Sequence, residues 1–88
     1  MTPVIAVIPM KKEVIAASEG RAVEDIAIII RECEARGYHY CNGLDAYMAA
    51  VDAGATPESL YALHHPSAKG NQAFARALAA TIKPLLSR

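Results

Sequence analysis

The sequence has few cysteines, no excess of one charge and no long apolar run, and each shortage excludes a class of protein. Cys33 and Cys41 are the only cysteines, too few for the disulfide framework of a small secreted domain, so we expect a reduced, cytoplasmic protein. Nine basic and nine acidic residues cancel, and the pI is about 6.8. This balance argues against the basic surface that binds nucleic acid and against electrostatic membrane binding.

Apolar stretches are equally limited in length. The run Ile26 to Ile30 is far too short to span a bilayer, and the N-terminal run is interrupted by Pro3 and Pro9, which argues against a signal peptide. Hydrophobic residues nevertheless make up 53% of the 88 residues, enough for one modest core. We therefore expect a single globular domain over residues 1–88.

The first half of the chain predicts a strand, a helix and a second strand. Residues 4–8 form an apolar, mostly β-branched run, which is typical of a strand buried on both faces. Helical spacing of apolar residues over 21–36 predicts a long helix that stops at Gly37. A short second strand follows over residues 38–42, and Asn42-Gly43 turns the chain.

The remaining segments indicate helices and capped turns. Residues 11–18 are a short helix or an irregular loop. A helix is expected from about Leu44 to Gly54, and Thr56-Pro57-Glu58 starts a turn that runs to about Leu63. The last helix begins near Ser67, and Pro84 should kink it or end its regular part.

This order predicts an α/β fold with two parallel strands and about three helices, since a helix between two strands favours a right-handed crossover. The first strand is apolar on both faces and yet has one neighbour, so its second edge would expose unpaired backbone groups. A second copy, another polypeptide or a further part of a longer protein must cover that edge. We expect a homo-oligomer, a dimer in the simplest case, joined through this edge or through exposed helix faces.

The segment from His64 to Phe74 is the clearest candidate for chemistry. His65 precedes a helix start, where a histidine can serve as a general base, or it can simply be an exposed residue. Ser67 is best interpreted as the helix cap, and Ser18 lies in no nucleophile motif. His64 is the neighbour of His65 and the weaker candidate.

Other reactive side chains have simpler interpretations. His39 and Cys41 share one strand face and could join the two later histidines at a metal, but tight ligand spacing is lacking. Cys41 is better interpreted as a small core residue than as a nucleophile. The four tyrosines either line a pocket or fill the core, and the core is favoured. No metal and no cofactor are therefore expected.

Several of these segments together resemble the C-terminal third of an SGNH, or GDSL-type, hydrolase. The similar features are a strand ending in Pro9, a strand after Gly37-Tyr38, and His65-Pro66-Ser67 with Gly70 and an alanine, Ala75, further on. The resemblance implies a fragment of a doubly wound, flavodoxin-like α/β fold, an ester-hydrolase ancestry, and a catalytic role for His65.

The chain departs from that family in three ways. Ala62 stands where the family has the aspartate that orients the histidine, and both the Gly-Asp-Ser nucleophile block and the oxyanion-hole blocks are absent. The leading hypothesis is therefore a truncated SGNH-like protein that hydrolyses esters only if a partner supplies the serine and the oxyanion hole. The alternatives are a non-catalytic, self-associating interaction module and a small-molecule binding protein with its pocket at the carboxyl ends of the strands.

Overall fold

The computed structural model describes residues 3–86, which form a small mixed α/β fold. In chain order the elements are β1 (Val4–Val7), α1 (Lys11–Ser18), α2 (Glu24–Arg36), β2 (His39–Asn42), α3 (Gly43–Asp52), a 3₁₀ turn (Pro57–Leu60), β3 (Tyr61–Ala62), β4 (His65–Pro66) and α4 (Ala68–Leu86). Within this part of the chain, none of the four α-helices combines the length and the apolar character needed to cross a membrane.

The predicted parallel pair of strands is confirmed. β1 and β2 run side by side, with Val4 opposite His39 and Val7 opposite Asn42. The helix between them begins at Glu24, three residues later than the spacing suggests, and ends where expected. Gly37 adopts a left-handed conformation with φ of 71°, which ends the helix at low steric cost and turns the chain into β2.

The ends of the next helices are fixed by local hydrogen bonds. Residues 11–18 are helical, and the Met10 amide donates to Glu13 Oε1 at 2.7 Å, which closes the first turn of α1. α3 follows β2 without a loop because the Asn42 side chain accepts hydrogen bonds from the Leu44 and Asp45 amides at 3.0 and 3.3 Å. Asn42-Gly43 is thus a helix start rather than a separate turn.

A compact cluster of side chains forms the core between α1, α3 and the 3₁₀ turn. Val14, Tyr47, Leu60 and Tyr61 are buried, and the two tyrosine rings pack edge to face with centroids 5.5 Å apart. Cys33 on α2 and Cys41 on β2 are also buried and unpaired. The interpretation of Cys41 as a small core residue is consistent with this burial.

Three details differ from the sequence expectations. β1 is not buried on both faces, because Ile5 and Ala6 point to opposite faces and both are exposed. Within residues 3–86 the strand also has a neighbour on one edge, β2, and its other edge is open. α4 continues past Pro84 to Leu86, so the proline does not end the helix at its own position. A short hairpin, β3 with β4, occupies the segment that was expected to be a simple turn.

Candidate functional site

The hairpin carries His65, the candidate catalytic residue. β3 and β4 pair antiparallel, with Tyr61 opposite Pro66 and Ala62 opposite His65. Leu63 and His64 connect them, and Leu63 has a φ of 57°, unusual for a residue with a side chain. The structure thus places the alanine that replaces the expected aspartate directly across the hairpin from His65.

The base of this hairpin is held firmly against the rest of the fold. The Tyr61 hydroxyl donates to the Pro9 carbonyl oxygen at 2.6 Å, 52 residues away in the sequence. On the other side, the Ser67 amide donates to the Leu60 carbonyl at 2.9 Å and the Ser67 hydroxyl to the Ser59 carbonyl at 2.7 Å. Because Pro9 follows β1, the hairpin lies at the carboxyl end of that strand, the edge where open α/β sheets bind ligands.

No hydrogen bond joins a serine to His65 within residues 3–86. The imidazole is exposed, and each serine in this range donates its hydroxyl to a backbone carbonyl: Ser18 to Ile15, Ser59 to Thr56 and Ser67 to Ser59. Ser67 Oγ also accepts from the Gly70 amide at 3.2 Å, which confirms its predicted role as the cap of α4. The catalytic role of His65 stays a prediction.

His64 lies next to α1 rather than with His65 at a common site. It lines a shallow hollow of about 340 Å³ together with Met10, Lys11, Lys12 and Ile15, beside the first turn of α1. At this helix start the Met10 amide already donates to the Glu13 carboxylate. The hollow therefore presents cationic side chains around an apolar floor and no built anion site.

The metal and small-molecule alternatives find limited support in the geometry. In the described range, His, Cys, Asp and Glu residues form no group of three that could hold a metal ion. A second hollow, of about 390 Å³, opens beside the carboxyl end of β2. Its polar side chains are Asn42, whose carbonyl oxygen caps α3, and Arg21, which pairs with Glu19, so few polar groups remain to orient a ligand.

Two tyrosines at the base of the hairpin have different hydrogen-bonding states. Burial raises the pKa of Tyr61 well above its ordinary value, and burial likewise raises the pKa of Tyr47. Tyr61 has the Pro9 carbonyl as its acceptor, whereas Tyr47 Oη is buried without a hydrogen-bond partner in residues 3–86. Both hydroxyls are thus held in the protonated form.

Exposed apolar side chains lie beside the open edge of β1, and we term this surface the isoleucine face. Its members are large apolar side chains that remain substantially exposed: Ile5 (37%), Ile8 (56%), Ile28 (53%), Ile29 (45%) and Tyr38 (48%). Two adjoining hollows of about 520 and 440 Å³ lie along it, and both are lined by Ile5 and Ile29. Exposed apolar groups clustered in this way mark an interaction surface.

Charged residues lie at the two ends of the isoleucine face. Glu13 and Asp25 line the hollow next to the carboxyl half of β1. At the opposite end, Arg36 Nε donates to Glu32 Oε1 at 2.6 Å, and both residues line the hollow there. Hydrogen bonds to Glu32 and Tyr38 raise the pKa of the Arg36 guanidinium. One end is therefore acidic, and the other holds an ion pair whose guanidinium keeps further donors.

Comparisons with models of protein families, with curated proteins and with solved structures gave no match. The likeness to SGNH hydrolases thus depends on the motifs quoted from the sequence, and the function must be argued from the geometry of the hairpin and the isoleucine face.

Proposed function

We propose that this chain is an association module that pairs the open edge of β1 with a strand of another polypeptide. The observation that carries the proposal is the combination of an uncovered strand edge with the exposed isoleucine face beside it. Pairing would extend a sheet of two strands, which is marginal on its own, into a larger one. It would also remove large apolar side chains from water.

The sequence of β1 supports this proposal. Soluble proteins usually protect an exposed edge with lysine, proline or a bulge inside the strand. Val4–Val7 has none of these, since its residues are Val, Ile, Ala and Val. A flat apolar strand of this kind is a template for main-chain pairing, the mode of recognition known as β-augmentation.

An open edge on β1 is also what a fragment of a flavodoxin-like fold would have. In such a fold β1 would be an inner strand and β2 an edge strand, so the open side of β1 is where the next strand belongs. The expected completion of the sheet by another polypeptide is supported by the pairing of β1, within residues 3–86, with β2 on one side.

A photoreactive amino acid placed at Ala6 tests the proposal directly. Ala6 is exposed on β1, and Ala53, exposed at the end of α3, is the matched control position. In the cells that make this chain, we expect a cross-link to a polypeptide from position 6 and none from position 53. Equal cross-linking at both positions, or none at position 6, would contradict the proposal.

A second candidate function is ester hydrolysis completed in trans. It is favoured by one observation, the anchoring of the histidine hairpin to Pro9 at the carboxyl end of β1. In this arrangement His65 would act as general base for a serine of the bound polypeptide, which would also supply the oxyanion hole.

Hydrolysis of a short-chain p-nitrophenyl ester tests this second candidate. The purified chain and any isolated complex would be compared with His65→Ala and, as the matched control, His64→Ala. Activity that is lost in His65→Ala and kept in His64→Ala would support it. The chain alone should show only the background rate, and a complex that also shows only the background rate would eliminate this candidate.

A further inference from the structure

We infer that the polypeptide on the open edge of β1 is a second copy of this chain, related to the first by a two-fold axis. The two β1 strands would pair antiparallel in a four-stranded sheet of order β2-β1-β1-β2. The inference rests on the proposed function, because it names the occupant of the same edge. It is carried by the distribution of apolar and charged side chains on the isoleucine face.

A two-fold interface must be complementary to itself. Apolar groups therefore belong near the axis, and charges of opposite sign belong at the two ends. The isoleucine face shares Ile5 and Ile29 between both hollows near its middle. Glu13 and Asp25 lie at one end. Arg36 lies at the other end, where it is paired with Glu32 of its own chain and keeps donors for a further carboxylate.

The direction of α2 brings the opposite charges together. α2 returns the chain from the end of β1 to the start of β2, so it runs antiparallel to β1. When two β1 strands pair antiparallel, the two copies of α2 are also antiparallel. Asp25 in the first turn of one helix then lies near Arg36 in the last turn of the partner helix, and the helix dipoles are oppositely directed.

The lengths of the two elements agree with this arrangement. Eleven residues separate Asp25 from Arg36, which is about 16 Å along a helix. The four residues of β1 span about 13 Å. Asp25 and Arg36 therefore fall near the two ends of the paired strands, and Ile28 and Ile29 lie between them.

The lateral spacing is compatible as well. Strands in a sheet are about 4.8 Å apart. If α2 lies above the β1–β2 pair, the two-fold axis places the two helices roughly 10 Å apart, the ordinary distance for packed helices. Ile28 and Ile29 of both copies would fill that contact.

The burial of the isoleucines selects the antiparallel arrangement over a parallel one. A two-fold axis that pairs the two β1 strands parallel runs along the strands, so it places the two copies of α2 on opposite faces of the sheet. Ile28 and Ile29 would then stay exposed. In the antiparallel arrangement both copies of α2 lie on the same face and cover each other.

Charge reversal tests the inference by sedimentation equilibrium of the full chain. Asp25→Arg and Arg36→Glu should each weaken the dimer by at least about tenfold, because each creates two like-charge contacts. An equimolar mixture of the two variants should associate as strongly as the unaltered chain, because both contacts are then between opposite charges. Asp52→Arg, an exposed reversal on α3, is the matched control and should leave the dimer unchanged. Circular dichroism would establish that each variant is folded.

The outcomes separate this inference from the proposed function. Recovery in the mixture supports both. If Ile5→Lys disrupts the dimer but the mixture shows no recovery, the two-fold arrangement is wrong and the edge of β1 remains the site of association. If the dimer resists Ile5→Lys, both the two-fold arrangement and association through the edge are wrong. A chain that stays monomeric overturns the second copy as occupant, and the cross-link from position 6 then decides whether the proposed function stands.

Discussion

Replacing Tyr61 with phenylalanine removes the hydrogen bond that joins the hairpin of β3 and β4 to Pro9 at the end of β1. The bond is 2.6 Å long, and both Tyr61 and Pro9 are buried. Losing such a bond and leaving a buried carbonyl without a donor costs about 1–3 kcal/mol. We therefore expect Tyr61→Phe to lower the free energy of unfolding by about 2 kcal/mol.

Tyr47 is the matched control, because its ring lies in the same cluster and its hydroxyl has no partner among residues 3–86. Removing a buried hydroxyl that makes no hydrogen bond relieves a desolvation cost. Tyr47→Phe should therefore leave the free energy of unfolding unchanged or raise it by up to about 1 kcal/mol.

Urea unfolding followed by circular dichroism, at one fixed protein concentration, measures both changes. The midpoint should fall in Tyr61→Phe and not in Tyr47→Phe, with equal slopes for the two variants. In a thermal scan, a loss of 2 kcal/mol would lower the Tm by about 10 °C for a domain of this size. Equal loss in the two variants would refute the assignment of the Tyr61–Pro9 bond as the anchor of the hairpin.

Three further predictions follow from the same packing. Burial raises the pKa of Tyr47 and Tyr61 in the folded state, so their contribution to stability is complete below the ordinary tyrosine pKa of 10.0 and decreases as the pH rises above it. The decrease is up to about 1.4 kcal/mol per pH unit for each tyrosine. A variant with both tyrosines replaced by phenylalanine should lack this dependence in alkaline unfolding. Gly70→Ala should destabilise the fold, since the new Cβ would collide with the Leu60 carbonyl, whereas Asn71→Ala, exposed on the same helix, should be neutral or slightly stabilising when both are measured by urea unfolding. Ser67→Ala should cost about 1 kcal/mol in the same assay through loss of the α4 cap, and an unchanged midpoint would contradict that role.

The regular elements could be predicted because their signals are local. Apolar spacing along α2 and the glycine that follows it are sufficient to place that helix and its end. The strand before it and the strand after it then favour a parallel pair. The capping role of Ser67 was likewise predictable, because a cap depends on residues within one helical turn.

The hairpin and the exposure of β1 could not be predicted in the same way. Each strand of the hairpin has two residues, too few for an alternating pattern, and its position depends on the contact between Tyr61 and Pro9. The run over 4–8 indicates a buried strand, but a local pattern does not reveal how many neighbours a strand has. That number is decided by the rest of the chain and by whatever covers the open edge.

The candidate site shows the same division. The sequence singles out His65, and the resemblance to SGNH hydrolases implies an aspartate at the position of Ala62. The structure adds that Ala62 and His65 are cross-strand partners. The isoleucine face was missed as a unit. Its members are far apart in the sequence, and their common surface exists only after α2 has packed against the two strands.

Amide hydrogen exchange of β1 at low and high protein concentration tests the central claim most directly. Successive amides of a strand point to opposite edges, so one of the two amides of Ile5 and Ala6 faces β2 and the other faces the open edge. If a second copy covers the open edge, the amide that faces it should exchange more slowly as the concentration rises, while the exposed hairpin tip at Leu63 and His64 should not change. If the chain associates and the exchange of β1 stays constant, the edge is not the interface and the account is contradicted.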